Sequence, residues 1–155
     1  MENTLLIAGT GSGVGKTMLM AAIASYCRTY FKGGTVALLK PIDANRRDAA
    51  NLMRWFDLNG TPSDFTPYLL GADVNIPLAG AGSDAMDGSM SAEGIAPIDF
   101  VQLWRRLCQL QQESDLVLME GVGSLSSPLT SDSTVADLAW DWRLPTVLVV
   151  PVQPG

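Results

Sequence analysis

Thr4-Leu5-Leu6-Ile7-Ala8 is an apolar run that breaks into Gly9-Thr10-Gly11-Ser12-Gly13-Val14-Gly15-Lys16-Thr17, and a helical pattern follows. The order is strand, glycine loop, helix start. Glycines at alternate positions let the backbone turn its N–H groups towards one centre, and the helix adds the positive end of its macrodipole. Such a loop, from Gly9 to Thr17, suits the phosphates of a nucleotide, with Lys16 reaching the terminal phosphates and the Thr17 hydroxyl placed to bind magnesium. The usual phosphate loop has its first glycine five positions before the Gly-Lys pair, a place held here by Thr10, with Gly9 one position further back. No register of the loop satisfies Gly-x-Gly-x-x-Gly, which argues against a nicotinamide or flavin enzyme. A glycine-rich turn with an incidental lysine is the bland alternative, and it does not account for the order of the parts.

Working outward, the 155 residues are 47% hydrophobic and 17% charged, which fits one globular domain over residues 1–155 with a substantial core. A net charge of -6 argues against a nucleic-acid groove and offers no basic membrane patch. Histidine is absent, so Ser-His-Asp and Cys-His catalysis and histidine metal sites are excluded. Lysine, carboxylate and metal chemistry remain. Cys27 and Cys108 lie far apart in helical patterns without metal-ligand spacing and read as reduced core residues. No signal-peptide pattern precedes the first strand. The longest apolar stretch, Leu144 to Val152, is too short to span a bilayer and contains Pro145 and Pro151, so a soluble cytoplasmic protein is expected.

Thr17 to Tyr30 reads as a helix with Leu19, Met20, Ile23, Ala24 and Cys27 facing a sheet, ended by Gly33-Gly34. Thr35 to Leu39 is a second strand, closed by Lys40-Pro41, where proline ends ladder bonding. Asp48 to Leu58 reads as a helix stopped by Asn59-Gly60. Residues 60–96 lack periodicity and read as a mostly irregular loop, either on the substrate side or at an interface, or as a disordered insertion. Pro97 is expected at the first position of a helix, with Asp99 in its first turn. Asp115 to Met119 is a buried strand, Ser133 is a cap for a short helix through Trp142, and Leu144 to Val152 is a last, buried strand. The alternation gives an α/β fold, a doubly wound, mostly parallel sheet with helices on both faces, like the phosphate-loop NTPases.

Glu120 follows the apolar Leu116-Val117-Leu118-Met119 and precedes Gly121-Val122-Gly123, at the carboxyl end of a strand where a phosphate-loop protein needs an acid for a metal or a water. Lys40 also ends a strand, where ligands of open α/β sheets collect, although a strand-end lysine alone is a weak signal.

These residues together resemble the dethiobiotin synthetase family. Its loop has the same five-residue gap between the first glycine and Gly-Lys-Thr that Gly9 to Thr17 show. Its second strand ends like Lys40-Pro41, and its later core is similar to Glu120-Gly121-Val122-Gly123, Pro128-Leu129, Ala136-Asp137-Leu138-Ala139 and Leu144-Pro145-Thr146-Val147-Leu148-Val149-Val150. The resemblance spans nearly the whole chain, more loosely over residues 43–112. It implies an ATP-dependent ligase: carbon dioxide adds to an amine of diaminopelargonic acid, ATP phosphorylates the carbamate, and the neighbouring amine closes a ureido ring. It further implies that Lys16 carries β/γ-phosphate charge and that Lys40 neutralises the carbamate and the transferring phosphoryl group. Thr17, Asp48 and Glu120 would hold magnesium, Asp48 because Arg47-Asp48-Ala49 is similar to the family's acid at the start of that helix. Ser12, Lys40, Gly121, Val122 and Gly123 would face the substrate, and a homodimer would be formed through a contact including Gly121 to Pro128.

The departures are specific. The family has Asp and Thr where this chain has Gly11 and Ser12, and a small hydroxyl or glycine where it has Asp43 and Ala44. The family's chain also continues past the strand that ends here at Val152, supplying an adenine pocket and part of the substrate site. An excised fragment or a shortened relative without turnover is therefore expected. A non-catalytic nucleotide-binding or interaction module remains the alternative function. A partition-type ATPase is disfavoured because it requires lysine at Gly11.

Overall fold

The computed structural model describes residues 3–44, 46–69 and 98–152. Four parallel strands form the main sheet in the order β2-β5-β1-β6: β1 (Thr4–Gly9), β2 (Val36–Leu39), β5 (Leu116–Glu120) and β6 (Thr146–Val149). Side chains alternate across a strand, so each strand supplies both faces. Leu6, Ala8, Leu39, Val117 and Met119 face α4 (Phe100–Glu113) and α5 (Val135–Asp141), where Leu103, Leu107, Leu110, Val135 and Leu138 complete one core. Ile7, Leu38 and Leu118 face the other way, onto Met20 and Ala24 of α1 (Lys16–Tyr30) and Leu52 and Phe56 of α2 (Arg47–Phe56). The expected doubly wound α/β architecture is what these two cores require.

β5 lies between β1 and β2 and separates two strands that are neighbours in sequence. The chain leaves β1 through α1 on one face and leaves β5 through α5 on the other. This divergence opens a crevice beyond the carboxyl ends of the strands, where ligands of such sheets bind. Register sets what meets there: Ile7 is opposite Glu120 and Leu39 is opposite Met119.

The structure departs from the sequence reading in several places. Pro41 does not end the extended chain. Its carbonyl accepts from the Tyr68 N–H at 3.2 Å, and the two-residue strand β3 (Ile42–Asp43) pairs in parallel with β4 (Tyr68–Leu69). The stretch from residue 60 thus begins with real elements, a capped turn of helix α3 (Pro62–Phe65) and then β4. Residues 70–97, which hold the rest of the expected loop and Pro97, lie outside the described residues. The α4 helix begins at Phe100, and Asp99 is its cap rather than a first-turn residue, its carboxylate accepting from the Gln102 N–H at 2.9 Å. Thr134, not Ser133, caps α5, because Asp137 three residues on completes the reciprocal capping box. Asp57, in a left-handed conformation, ends α2 before Asn59-Gly60. Cys27 and Cys108 are free thiols, half-buried rather than core. The last strand is shorter than expected and not buried: β6 pairs only with β1 among the described residues, leaving Thr146, Val147 and Leu148 exposed. Among the described residues no helix is long and apolar enough to cross a membrane.

Three exposed aspartates are drawn below their ordinary range by threonine donors. For Asp64 and Asp115 the main cause is the backbone N–H of Thr61 or Thr35, and for Asp137 it is the Thr134 hydroxyl. A folded-state value below the unfolded one stabilises the fold above the unfolded value, and that contribution is lost as pH falls through the folded one. Asp115 ties the starts of β2 and β5 together by accepting from Thr35 N–H at 2.7 Å and Thr35 Oγ1 at 3.0 Å. In denaturant titrations against pH, Asp115→Asn should remove part of the wild-type decline in stability below pH 3.8. Thr134→Ala should cost about 1 kcal/mol near neutrality through loss of the cap.

Candidate nucleotide site

The phosphate loop connects the end of β1 to α1. Gly13 (φ 72°) and Gly15 (φ 101°) occupy the left-handed region that side chains disfavour, and Gly15 is the residue from which α1 starts. Gly9 answers a different demand. A Cβ there would lie 2.7 Å from Val14 Cγ2 and 3.1 Å from Lys16 Cδ, so the loop folds back over the bare backbone of Gly9. Thr10 forms an antiparallel bridge with Ser124, and the Leu125 N–H donates to Gly9 O at 3.0 Å, which joins the loop to the segment after β5. Ser12 is exposed at the loop's tip.

Lys16 is only 6% exposed. Its ammonium donates to Gly11 O at 2.7 Å and to Gly123 O at 2.6 Å, bridging the phosphate loop and the Gly121-Val122-Gly123 turn. Burial lowers its pKa, and the nearby Glu120 only partly offsets this. Thr17, the second residue of α1, donates from Oγ1 towards Glu120 Oε1 at 2.9 Å and Asp48 Oδ2 at 3.3 Å, one partner at a time.

Lys40, 5% exposed, follows β2 and stands beside Glu120 because β2 and β5 are in parallel register. Its ammonium is ringed by three carboxylates: a very short contact to Asp48, Asp43 at 3.0 Å and Glu120 at 3.2 Å. Burial would lower its pKa, but Glu120, Asp48 and Asp43 together hold it raised. Glu120 itself, 2% exposed, is pushed up by burial against the pull of Lys40 and Thr17. Its second oxygen, Oε2, is buried without a hydrogen-bond partner among the described residues.

Lys16, Thr17, Lys40, Asp48 and Glu120, chosen from sequence, therefore converge, and Gly11 and Gly123 join them through their carbonyls. Asp43 was missed as a member. Its signal was its place three residues after Lys40, obscured by the expectation that extended structure stopped at Pro41.

The oxygen set of Thr17, Asp48 and Glu120 fits a hard divalent cation. Magnesium typically uses one or two carboxylates and takes its remaining ligands from water and substrate phosphates. The partnerless Glu120 oxygen supplies a lone pair for such an ion. Among the described residues no group of three or more Cys, Asp or Glu side chains would hold a metal by itself, so phosphate or water oxygens would complete the shell.

A glycine loop at a strand-to-helix junction, a buried lysine beneath it and an acid at the neighbouring strand end define a phosphate-loop α/β domain. The model of the AAA domain family matches residues 3–155, and the chain belongs to that family. The chain is also similar to ATP-dependent dethiobiotin synthetases. It is 37% identical to that of Gloeothece citriformis over 97% of this chain and 62% of the relative. It is 38% identical to that of Crocosphaera subtropica over 98% and 62%, and 38% identical to that of Synechocystis over 99% and 60%. The chain spans 60–62% of the length of these curated relatives.

The tight fold of the loop over Gly9 gives a direct test. Gly9→Ala should cost about 1–3 kcal/mol in denaturant unfolding through overpacking. Adding Val14→Ala to that variant should recover most of the loss, because it removes the nearest contact, the one to Val14 Cγ2.

Proposed function

We propose that this chain acts as an ATP-dependent dethiobiotin synthetase, closing a ureido ring on diaminopelargonic acid. The observation that carries the reading is the convergence of two buried lysines and the Thr17, Asp48 and Glu120 oxygens at the carboxyl ends of β1, β2 and β5. The names of its relatives favour the ligase over the non-catalytic module.

The chemistry proceeds by positioned electrostatics. An amine of the substrate attacks carbon dioxide, forms a C–N bond and loses a proton. The resulting carbamate oxygen attacks the γ-phosphorus of ATP and ADP departs. The second amine then attacks the carbamoyl carbon, the ring closes and inorganic phosphate leaves. Lys16 would exchange its two carbonyl acceptors for β/γ-phosphate oxygens, and Lys40 would neutralise the carbamate and the phosphoryl group in transfer. Thr17, Asp48 and Glu120 would hold magnesium, which supplies charge neutralisation to the phosphates when bound. Ser12 and the turn from Gly121 to Gly123 would border the substrate. We further infer a homodimer acting in the cytoplasm, with the segment from Gly121 to Pro128 in its contact.

The test is to supply the purified chain with diaminopelargonic acid, bicarbonate, ATP and magnesium, and to measure dethiobiotin by mass spectrometry. Formation is expected, against the shortened relative without turnover that the sequence departures suggested, because the names of the relatives favour a working ligase. Lys16→Ala should reduce it by about a thousandfold through lost phosphate positioning. ATP binding without any dethiobiotin would replace the ligase with a nucleotide-binding module. Sedimentation of a monomer at micromolar concentration would remove the dimer.

A further inference from the structure

An ammonium has three N–H donors, and Lys40 faces three carboxylates, those of Asp43, Asp48 and Glu120. The three are not equivalent. Asp48 and Glu120 also receive the Thr17 hydroxyl, so they belong to the oxygen set that faces a divalent cation. Asp43 stands apart from that set and is fixed from its own side. Its Oδ1 accepts the Ala44 N–H at 2.8 Å, its Oδ2 lies 3.0 Å from Lys40 Nζ, and its backbone is held in β3 opposite Leu69. The Lys40 N–H donates to Phe65 O at 3.1 Å, so both residues of the pair are anchored to the segment that carries α3 and β4.

A divalent cation held by Asp48 and by Oε2 of Glu120 would draw both carboxylates towards itself and would repel the positive charge of Lys40. A lysine with only those two partners would be left on a flexible four-carbon stem at the moment its position matters. We propose that Asp43 is a positioning residue, the metal-independent counter-ion that keeps Lys40 at the reacting phosphoryl group when magnesium and nucleotide occupy the site. This rests on the function proposed above. Asp43 acts through Lys40 and touches no reacting atom.

The experiment has two arms. In the full chain labelled with 15N and 13C, NMR correlations across hydrogen bonds connect Lys40 Nζ to carboxylate carbons, and they are recorded free and with magnesium and ADP. Correlations to Asp43, Asp48 and Glu120 are expected in the free chain, and to Asp43 alone after loading. Loss of the Asp43 correlation on loading overturns the proposal. In the second arm Asp43→Asn is assayed for turnover. A fall in kcat of about tenfold or more, with KM for ATP changed by less than about threefold, is expected for a group that positions a transition-state contact. A wild-type kcat overturns the proposal. If the unaltered chain forms no dethiobiotin, the functional reading fails, while the NMR arm still decides the role of Asp43.

Discussion

The site depends on the insertion of β5 between β1 and β2. Three parts of the site that meet at the strand ends are remote from one another in sequence: the phosphate loop follows β1, Lys40 follows β2 and Glu120 ends β5. What aligns them is parallel register, with Ile7 opposite Glu120 and Leu39 opposite Met119. Register in turn is enforced by the two cores. Val117 and Met119 face α4 and α5 while Leu118 faces α1 and α2, so a slip of one residue would send each to the other face. Hydrophobic packing on both sides of the sheet therefore determines the distances within a charged site that contributes little packing of its own.

That site concentrates charge where burial is costly. Lys16, Lys40 and Glu120 are all nearly inaccessible, and replacing such groups by apolar ones often leaves a fold as stable or more so. Their mutual arrangement therefore reads as function. Lys40 is satisfied by carboxylates, whereas Glu120 keeps one oxygen without a partner among the described residues. A buried unpaired acceptor is an energetic cost that a stabilising network would have closed.

Much of this was legible in the sequence because local chemistry announced it. Gly9 to Thr17 encodes its own conformation: glycines stand where Gly13 and Gly15 adopt positive φ and where Gly9 has no room for a Cβ. The strand-end positions of Lys40 and Glu120 followed from apolar runs that stop at those residues. What escaped was set by tertiary context. β3 and β4 are two residues each and stabilise each other only as a pair brought together by folding, so neither has a periodicity to read. Asp43 was hidden with them. Ser133 and Thr134 are both acceptable caps, and the choice was made by Asp137 at the third helical position. The apolar run through β6 looked like a buried strand, but hydrophobicity along a sequence does not state what covers it, and β6 lies at the border of the described sheet.

The hydrogen bonds of Lys16 show how the loop is kept ready. In the free chain its ammonium is held by the carbonyls of Gly11 and Gly123, one from each of the two segments that border the phosphate position. The backbone is held as well, through the bridge of Thr10 to Ser124 and the bond from Leu125 to Gly9. On the function proposed above, phosphate binding would require an exchange of acceptors at one nitrogen rather than the ordering of a flexible loop. Donors fixed before the ligand arrives incur little reorganisation cost when charge develops. Because Gly123 O is one of the acceptors that would be exchanged, the arrival of phosphate would be felt directly by the turn that follows β5. The loop from Gly9 to Thr17 and the turn beside it are thus linked by backbone contacts and by the Lys16 side chain, whose position the parallel register of β1 and β5 fixes.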